Sequence, residues 1–573
     1  MNMTHEFAQI VVGLPVEGPF DYRIPRALLG RVTVGSRVQV MFNRRKRTGF
    51  VVKLLRESEF ERLNVILSVL DCQPALSPEM LQLTKKMSTF YGCSWGEAIE
   101  ACLPKVLRGM KKNDAKWDSH LSGVKGDCPI SLLYDPKGDK RWTFLLKRVQ
   151  ETLERQQQVI VLVPDIYCVE LVVSRLQEFC QTANVVVLPR KLKTKEELDL
   201  WNCLRSSEVD VFVGTRSAVF APMPNLGLIV VDEEEHFAYK QEQSPYHHVR
   251  DVVSLRHEIE GCSVIFSSMV PSLEVRHLSE VHQWKTTVLS QDQEGAVVRL
   301  VDLTNYNPRK SSRISFPLQN LLKEYFDQKK KVCLIVEPKD FEMWTDEAQG
   351  KVIPAKVQKI ENELCRFYPE QRIVFYEKDS RRFPAQASLV ISTSVILRHK
   401  DIARFDLIAV MNTEGPLNYL DYRAGFKMFA FLVHLRQMAK ETLVLQTQMP
   451  DYYGIAALQK GNFDFFYQEE MKIRKDLFLP PFVFMVSIQI RGKEEERVNR
   501  VGEDLWNILE EDIPQDMVLE PLQLNQSLKL PEPYRCTTML KGQDVEKMLG
   551  LIRASLSRVK RKSKVKISLN VNP

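Results

Sequence analysis

The feature that most constrains the fold is a pair of series of apolar segments in the middle of the chain. The first series lies at 159–164, 184–189, 209–214, 226–232 and 263–268, and the second at 331–338, 372–378, 387–393, 405–412 and 441–447. The segments are mostly apolar, as strands buried on both faces are, and stretches with a helical period separate them. The pattern predicts two consecutive α/β units, at 129–290 and 291–473, each a parallel sheet with helices on both faces.

The parts of the chain that flank these units have different patterns. Residues 1–71 contain short apolar runs between turns with Gly, Pro and basic residues, which predicts a small β-rich domain. Apolar residues at helical spacing predict helices in 72–110, and the polar stretch 111–128, rich in Lys and Gly, is typical of a linker. Alternating strand and helix patterns in 474–573 predict an α+β domain.

Composition narrows the class of protein. The chain has 573 residues and eleven cysteines, no two of which form a C-x-x-C pair, as expected for reduced thiols in the cytoplasm. No run of 18 apolar residues occurs, and the start lacks the apolar stretch of a signal peptide, so we expect no membrane partner. The net charge of +7 is compatible with a phosphate-bearing partner without establishing one.

A pair of acids, Asp232 and Glu233, comes at the carboxyl end of an apolar strand. Carboxylates at this end of a parallel sheet are placed to hold a Mg²⁺-bound water, and a following Glu can polarise an attacking water. The alternative is that the two acids only solvate the end of a strand. The nearby sequence GTRSA at 214–218 favours the chemical interpretation.

These motifs resemble the helicase core of the PriA family, the primosomal N′ proteins, and the resemblance covers most of the chain. The matching motifs include Phe20-Asp21-Tyr22, Tyr91-Gly92, GTRSA, Tyr239-Lys240-Gln241, Arg250-Asp251, the prolines at 480 and 481, and the last three residues. The resemblance implies a multidomain α/β protein. Its parts would be a 3′-end DNA-binding β domain (1–71), a winged-helix segment (72–110), two RecA-like helicase lobes (129–290 and 291–473) and an α+β C-terminal domain (474–573).

The family's phosphate-binding loop is the motif that has changed most. Its G-x-T-G-S-G-K-T is replaced here by DPKGDKRW at 135–142. Gly138 remains, Arg141 stands at the position of the Lys, and Trp142 stands at the position of the hydroxyl that binds Mg²⁺. The resemblance therefore implies a degenerate nucleotide site, with Gly138 and Arg141 as its remnants and the two acids above as degenerate catalytic residues.

Other motifs of the motor and the metal site are also changed. The family's DEEH ends in Glu235, and its Q-V-A-G-R-A-G-R helix has Met438 and Glu441 where arginines neutralise transition-state charge. The eight cysteines with which the family binds two Zn²⁺ have no counterpart in the second lobe, where no Cys lies between 337 and 354. We therefore expect no zinc, and neither ATP nor Mg²⁺ as a working cofactor.

The segments that face DNA in the family are better retained. The resemblance places Phe20, Asp21 and Tyr22 in a pocket for a 3′-terminal nucleotide, where an aromatic ring stacks on a base and a carboxylate accepts a hydrogen bond. The alternative is that Phe20 and Tyr22 belong to the core of the small β domain. Asn43 and Asn64 replace a Gly and a Lys of the family pocket. The other DNA-binding residues that the resemblance implies are Arg216, Tyr239, Lys240 and Arg250.

Two basic clusters stand apart from these motifs. The first combines residues 44–47 with Lys105, Arg108, Lys111 and Lys112, and the second is spread over 558–566. Each cluster is either a track for phosphates, whose binding would weaken steeply with salt, or a solvated face of the protein.

The expected function is that of a replication restart protein without helicase activity. It would recognise stalled or abandoned forks and promote primosome assembly and loading of the replicative helicase, in the bacterial cytoplasm at the nucleoid. Its partners would be branched DNA and other primosome and helicase-loading proteins. The alternative is an ATP-dependent 3′→5′ DNA helicase with a diverged nucleotide site, and a third class is a nucleic-acid-binding scaffold outside replication.

Overall fold

The computed structural model describes most of the chain. The described residues are 5–113, 128–138, 140–189, 191–290, 295–306, 314–336, 355–377, 383–399, 404–418, 421–526, 531–559 and 564–573. Most of the predicted linker (114–127), the stretch 337–354 and residues 560–563 of the second basic cluster lie outside these ranges.

The N-terminal domain is a six-stranded sheet, as the sequence predicts. Its strands are β1 (Phe7–Val12), β2 (Phe20–Arg23), β3 (Arg37–Phe42), β4 (Arg45–Leu55), β5 (Asn64–Val65) and β6 (Ser68–Val69), in the order β5-β2-β1-β4-β3-β6. The hairpin β3–β4 turns at Asn43 and Arg44, whose φ angles of 49° and 60° are those of a two-residue hairpin turn. Residues 45–47 of the first basic cluster therefore begin β4.

Three helices follow this sheet: α1 (Pro78–Tyr91), α2 (Trp95–Cys102) and α3 (Lys105–Arg108). Ser77 caps α1, since its Oγ accepts a hydrogen bond from the Met80 N–H at 3.2 Å, and Gly92 ends the helix with a φ of 65°. Ser94 and Glu97 form a capping box at the start of α2. The assignment of this segment as a winged helix stays a prediction.

The first α/β unit, which we call lobe 1, is a seven-stranded parallel sheet. Its strands are β7 (Ile130–Tyr134), β8 (Gln158–Leu162), β9 (Val185–Val187), β10 (Val211–Gly214), β11 (Leu226–Asp232), β12 (Ser263–Ser268) and β13 (Lys285–Val288), in the order β13-β7-β12-β11-β8-β10-β9. Its helices are α4 (Arg141–Glu154), α5 (Ile166–Phe179), α6 (Thr194–Arg205), α7 (Val249–Glu260) and α8 (Leu273–Val281).

The second unit, lobe 2, is also a parallel sheet. Its strands are β14 (Val297–Asp302), β15 (Val332–Ile335), β16 (Ile373–Tyr376), β17 (Leu389–Ser392), β18 (Phe405–Val410) and β19 (Ala439–Thr447), in the order β14-β19-β18-β15-β17-β16. Its helices are α9 (Phe316–Asp327), α10 (Ala355–Phe367), α11 (Ala424–Met438), α12 (Tyr453–Lys460) and α13 (Phe463–Asp476). All ten apolar segments form strands, so the prediction of two parallel α/β units is confirmed.

The C-terminal domain packs two helices on one face of an antiparallel sheet. Its strands are β20 (Phe484–Gly492), β21 (Val518–Leu519), β22 (Gln523–Gln526), β23 (Tyr534–Gly542) and β24 (Val565–Val571), and its helices are α14 (Glu495–Asp512) and α15 (Val545–Arg558). The predicted α+β domain is confirmed.

One apolar core joins three of these units. Met87 and Tyr91 of α1 pack in the same cluster as Val249 of lobe 1 and Leu549 and Ile552 of α15. Within the described ranges, no helix combines the length and apolar character that a membrane span requires. The units that flank lobe 1 are therefore held against it by shared hydrophobic burial.

Candidate functional site

Three loops meet at the carboxyl edge of the lobe 1 sheet because the strands that precede them are parallel neighbours. They follow β7, β11 and β12, which pair in the order β7-β12-β11. The loop after β7 leads into α4 and carries Gly138, while Asp232 and Glu233 end β11 and begin its loop. The structure thus brings all four predicted nucleotide-site residues, with Arg141 at the start of α4, to one edge of the sheet.

The start of α4 already holds an anion from the protein itself. The Asp135 side chain is fully buried, and its Oδ2 accepts hydrogen bonds from the N–H groups of Lys140 (2.9 Å) and Arg141 (2.8 Å). Its Oδ1 accepts a hydrogen bond from the Ser290 Oγ at 2.9 Å. A helix N-terminus attracts anions through its open N–H groups, and here a carboxylate occupies the position that a phosphate takes in nucleotide-binding loops.

Asp232 and Glu233, the acids at the end of β11, are paired with Arg141, which replaces the family's Lys. The Arg141 Nε lies 3.0 Å from Asp232 Oδ1, and its Nη2 lies 3.5 Å from Glu233 Oε1. All three side chains are at most 5% exposed. A buried carboxylate pair without a counter-charge is costly, so this guanidinium neutralises charge where a metal ion would otherwise do so.

The loop that carries Gly138 is packed against the end of β12. Gly138 has a φ of 71°, and a Cβ at this position would lie 2.7 Å from the Met269 Sδ. Trp142 is buried in the lobe 1 core, with the Arg175 guanidinium 5.4 Å from its ring centre. The side chain that replaces the Mg²⁺-binding hydroxyl therefore points into the core and serves packing.

Apolar side chains from both lobes fill the cleft above this edge. Met269 and Val270 of lobe 1 belong to the same buried cluster as Phe429 and Phe463 of lobe 2, and Tyr134 packs on Phe463 with ring centres 5.7 Å apart. A cavity between the lobes, lined by Lys137, Met269, Phe429 and Phe463 among others, has a volume of about 50 Å³. A typical ligand pocket has roughly 300–1,000 Å³, so this cavity is too small for a nucleotide.

Polar contacts between the lobes cross the same cleft. Gln437 of α11 donates a hydrogen bond from its Nε2 to the Pro136 carbonyl oxygen at 3.1 Å. The His434 Nε2 lies 3.3 Å from Glu235 Oε1. Glu235 is the residue that replaces the His at the end of the family's DEEH. Beside it, burial and the Glu235 charge raise the pKa of Glu234 to about 8, although hydrogen bonds from Ser272 oppose this shift.

Ion pairs at the edges of the cleft join the lobes further. The buried Arg474 of α13 bonds Glu274 of α8 at 3.1 Å and Glu470 of its own helix at 3.2 Å. At the far side, Arg398 lies 3.5 Å from Asp165 and over the Tyr167 ring. Apolar, polar and ionic contacts together hold the two lobes in one arrangement.

ATP with Mg²⁺, which a helicase-like pair of lobes implies, does not fit these residues. The N–H groups that would cradle phosphates are bonded to Asp135, and the carboxylates that would hold Mg²⁺ through water are paired with Arg141. The cleft above them is filled by packed side chains from both lobes.

The described residues also contain no group of three or more His, Cys, Asp or Glu side chains arranged to hold a metal ion. The stretch 337–354, where the sequence has lost the family's zinc cysteines, lies outside the described ranges.

The structure divides the predicted 3′-end pocket between the two faces of β2. Tyr22 is buried in the core of the sheet, and its hydroxyl donates to the Met41 carbonyl oxygen at 3.0 Å. Phe20 is partly exposed and packs on Phe42, with ring centres 5.1 Å apart. Asp21 points the other way, where its carboxylate accepts hydrogen bonds from Gln9 (3.3 Å) and Ser58 (2.5 Å). Phe20 and Asp21 are accessible, whereas Tyr22 has a structural position.

The other predicted DNA-binding residues lie at a junction of lobe 1 with the C-terminal strand. The Arg216 Nη1 donates to the carbonyl oxygens of Ala238 (2.7 Å) and Lys240 (2.8 Å). The Lys240 Nζ donates to the Val571 carbonyl oxygen at 2.5 Å, and burial lowers the pKa of Lys240 to about 7. These contacts are within the protein, and a role in DNA binding stays a prediction.

Tyr239 and Arg250 are held at the same junction. The fully buried Tyr239 hydroxyl donates to the Asp232 carbonyl oxygen at 2.6 Å, which ties this loop to the acidic strand end. Arg250 lies 3.7 Å from Asp251 and 3.9 Å from Glu274, and its side chain is 13% exposed. The junction therefore links the edge of lobe 1 that carries Asp232 to the C-terminal domain.

Sequence reasoning missed the partners of these residues. It identified Asp135, Arg141 and the acidic pair as departures or remnants, but not that they bond one another. The available signal was charge. The Lys-to-Arg replacement keeps a cation at position 141, and the two retained acids are anions that can pair with it. The filling of the cleft by Met269, Phe429 and Phe463 had no such signal.

Comparison with known protein families gives three matches along the chain. Residues 9–104 match the 3′ DNA-binding domain (3′BD) of PriA, and residues 475–573 match the primosomal protein N C-terminal domain. Residues 142–275 match the DEAD/DEAH box helicase family.

Three similar relatives carry the same name. The chain is 22% identical to a replication restart protein PriA of Rickettsia conorii, over 99% of both chains. It is 22% identical to that of Bacillus subtilis over 78% of this chain and 64% of the relative, and 24% identical to that of Synechocystis over 77% and 62%.

Two solved structures are among those that match part of this chain. RecG bound to a three-way DNA junction matches 61% of this chain and 43% of its own, with 14% identity and a TM-score of 0.38. Dbp5 of S. cerevisiae bound to RNA and ADP BeF3 matches 70% of this chain and 98% of its own, with 13% identity and a TM-score of 0.38.

Proposed function

Because the chain belongs to the family of PriA replication restart proteins, we propose that it binds stalled or abandoned replication forks and promotes helicase loading without hydrolysing ATP. The matches to the family's 3′ DNA-binding and C-terminal domains support the DNA-binding half of this function. Branched DNA and primosome and helicase-loading proteins are its proposed partners, in the cytoplasm at the nucleoid.

One observation carries the proposal that the motor is inactive: Arg141 bonds both Asp232 and Glu233 in a buried network. A helicase lobe must bind and release Mg²⁺ and nucleotide at these acids during each cycle. Here the acids have a permanent counter-charge from the same chain, and Asp135 occupies the start of α4. The charges of the acids at this edge are therefore balanced without a ligand.

The contacts between lobes support a second part of the proposal, that the lobes act as a fixed spacer. Hydrolysis drives a helicase by opening and closing the cleft between its lobes. In this chain the cleft contains a buried apolar cluster and the Arg474–Glu274 ion pair. Separating the lobes would expose that cluster to water, so a rigid body that holds DNA-binding domains at a set spacing is the favoured state.

The neighbouring domains are tied to the same body. The Tyr91 hydroxyl of α1 donates to Asp251 at 2.6 Å and accepts a hydrogen bond from the His248 N–H at 3.0 Å. Lys240 bonds the C-terminal strand through Val571. A branched DNA would then be recognised by the fixed relative placement of several surfaces, a geometry that a linear duplex cannot match.

Fork binding in the absence of nucleotide tests this proposal. Fluorescence anisotropy with a labelled fork that has a 3′ end at its branch is compared with a blunt duplex of equal length. We expect at least a tenfold tighter Kd for the fork, about 1.4 kcal/mol. Equal Kd values for the two DNAs would contradict the proposed function.

The site residues are tested in the same assay. Phe20→Ala removes the accessible ring and is expected to reduce the preference for a fork with a free 3′ end by about fivefold, since one stacking contact contributes about 1–3 kcal/mol. Phe316→Ala, which removes an exposed ring of lobe 2, serves as the control. A loss of preference in the control alone would remove Phe20 from the site.

A further inference from the structure

The first basic cluster, which the fold and the family motifs leave without a role, converges on one cavity in the structure. Lys46 and Arg47 at the start of β4 and Arg108 at the end of α3 line a cavity of about 190 Å³ between the N-terminal sheet and the helices. About sixty residues of sequence separate the hairpin from α3. We call this cavity, with its lining from 12–14, 46–48, Glu100 and 108–110, the basic pocket.

The cations of the basic pocket carry charge that the protein does not balance. Lys46, Arg47 and Arg108 are exposed, and none of them forms a salt bridge with an acidic side chain in the described part of the chain. Three cations against the single carboxylate of Glu100 give the lining a net charge of +2. Arg37 of the same domain, in contrast, is buried and bonded to Asp71 at 2.5 Å. The Arg108 Nε donates a hydrogen bond to the Leu103 carbonyl oxygen at 2.9 Å. Clustered cations without salt bridges to described acids favour an anionic ligand.

Glu100 gives the pocket a second kind of recognition group. It lies on α2 with its carboxylate directly against the backbone of Gly13, where a Cβ would approach its Oε1 to 1.8 Å. Within the described ranges the Glu100 carboxylate accepts no hydrogen bond. Partial burial raises the pKa of Glu100, and Arg108 opposes that shift. An acceptor inside the pocket and cations around it match a ligand that has N–H donors at one end and an anion at the other.

A nucleotide has this distribution of groups. Its base edge presents N–H donors, and its phosphate is the anion. A free inorganic phosphate fits less well, because it would approach Glu100 with like charge. The volume of about 190 Å³ is enough for one base, whereas a paired base cannot reach such a pocket from inside a duplex.

The location of the pocket identifies which nucleic acid would supply the nucleotide. Phe20 pairs with Ile10 of β1, and the pocket begins at Val12, two residues further along the same strand. Phe42, which packs on Phe20, immediately precedes the Asn43–Arg44 turn that leads to Lys46. The predicted site for a 3′ end and the basic pocket thus share one end of the sheet.

We propose that the basic pocket binds one unpaired nucleotide of a DNA single strand, with its phosphate between Lys46, Arg47 and Arg108 and its base edge against Glu100. The proposal rests on the function proposed above, which it deepens by adding a second contact for the strand near its 3′ end. Guanine, with adjacent imino and amino donors, suits a carboxylate acceptor best, and thymine, with one imino donor, suits it least.

The test uses the full chain with Arg47→Glu and Arg108→Glu combined. The matched control, Lys147→Glu with Arg155→Glu, makes the same change of net charge at exposed positions on and after α4. Kd values are measured for a single-stranded oligonucleotide, a fork with a single-stranded 3′ arm and a blunt duplex. We expect at least a tenfold loss for the oligonucleotide and the fork in the pocket variant, less than twofold in the control, and unchanged melting of both proteins.

The outcomes separate the pocket from the function. If the parent prefers forks but the pocket variant binds them as tightly as the parent does, the pocket proposal is wrong and the proposed function stands. If the parent shows no preference for forks while the pocket variant still loses the oligonucleotide, the proposed function is wrong and the pocket stands. A variant that loses all three DNAs equally shows only a general charge effect and overturns the pocket.

Glu100→Gln tests the base contact separately. We expect the parent to bind an oligonucleotide that contains G more tightly than one made of T alone. The amide presents one acceptor in place of two, so the ratio of these two Kd values should fall by at least threefold in the variant, with unchanged melting. A base preference that is the same in parent and variant, or absent from the parent, would contradict the contact between Glu100 and a base.

Discussion

Arg141 in the cleft between the lobes and Arg47 in the N-terminal domain are both basic side chains at positions where a phosphate contact was predicted or proposed, but their surroundings differ. Arg141 is buried and bonded to Asp232 and Glu233, whereas Arg47 is exposed and forms no salt bridge with a described acid. A charge that the protein balances internally contributes to folding, and a charge left open is available to a ligand. The comparison supports the proposal that binding capacity has been kept in the N-terminal domain and replaced by internal ion pairs at the nucleotide edge.

The largest effect is expected when the buried guanidinium of Arg141 is removed. Arg141→Ala removes the guanidinium that pairs with two buried carboxylates, which is expected to cost about 3–5 kcal/mol of unfolding free energy. The measurement is thermal or urea unfolding of parent and variant. Arg148→Ala, which breaks the half-exposed Arg148–Glu151 pair of the same helix, is the control and should change stability by less than about 1 kcal/mol. Equal small effects in both variants would show that the network of Arg141 is unimportant.

The next largest effect is expected at the joint between the lobes. Arg474→Ala removes the arginine that pairs with Glu274 and Glu470. The unfolding free energy is expected to fall by about 3 kcal/mol. This value is at the lower end for a buried pair because Arg250 remains 3.9 Å from Glu274. Limited proteolysis should then cut between the lobes earlier than in the parent. Arg276→Ala, at a more exposed pair, should leave the cleavage pattern unchanged. Identical proteolysis of all three proteins would argue against a fixed joint.

A smaller effect is expected from the titration of Glu234. Its pKa is raised from 4.5 to about 8 in the folded protein, so its contribution to stability is full below pH 4.5 and is lost as the pH rises through about 8. Glu234→Gln cannot titrate, so the Tm of the variant minus that of the parent should increase between these limits, by about 2–5 °C. A difference that is constant from pH 4.5 to 9 would contradict the raised pKa.

The smallest effect is expected from a single open charge. Arg47→Ala should leave the Tm unchanged and weaken binding to single-stranded DNA about two- to fivefold. The slope of log Kd against log salt should decrease by about 0.7, the value for one phosphate contact on a single strand. An unchanged slope would mean that Arg47 meets no phosphate.

The sequence predicts the scaffold well because each strand has its own local pattern. All ten apolar segments became strands. One further strand of lobe 1, β7 (Ile130–Tyr134), lies outside these segments, and β13 (Lys285–Val288) and β14 (Val297–Asp302) were not foreseen either. Most residues of β13 and β14 are exposed or half-buried, and three of the four residues of β13 are polar. Both segments therefore resemble loop sequence more than buried strands, and pairing with β7 and β19 makes them part of a sheet.

The site was predictable only as a set of positions. The family alignment of motifs placed Gly138, Arg141 and the acids at one edge, and the structure agrees. The bond from Arg141 to Asp232 joins residues about ninety positions apart, and the closure of the cleft depends on Phe429 and Phe463 from the other lobe. Such contacts follow from packing in three dimensions and leave no periodicity in the chain. The basic pocket is of the same kind, since its two halves were visible as charges but not as neighbours.

The central claim is that the protein itself balances the charges of the acids at the nucleotide edge. It is tested most directly by measuring ATP binding and hydrolysis by the purified chain with fork DNA and Mg²⁺. The account predicts no saturable ATP binding, no DNA-stimulated phosphate release and a fork Kd that ATP does not change. Saturable binding with DNA-stimulated phosphate release that Glu233→Gln abolishes would contradict it and would establish an ATP-dependent helicase motor instead.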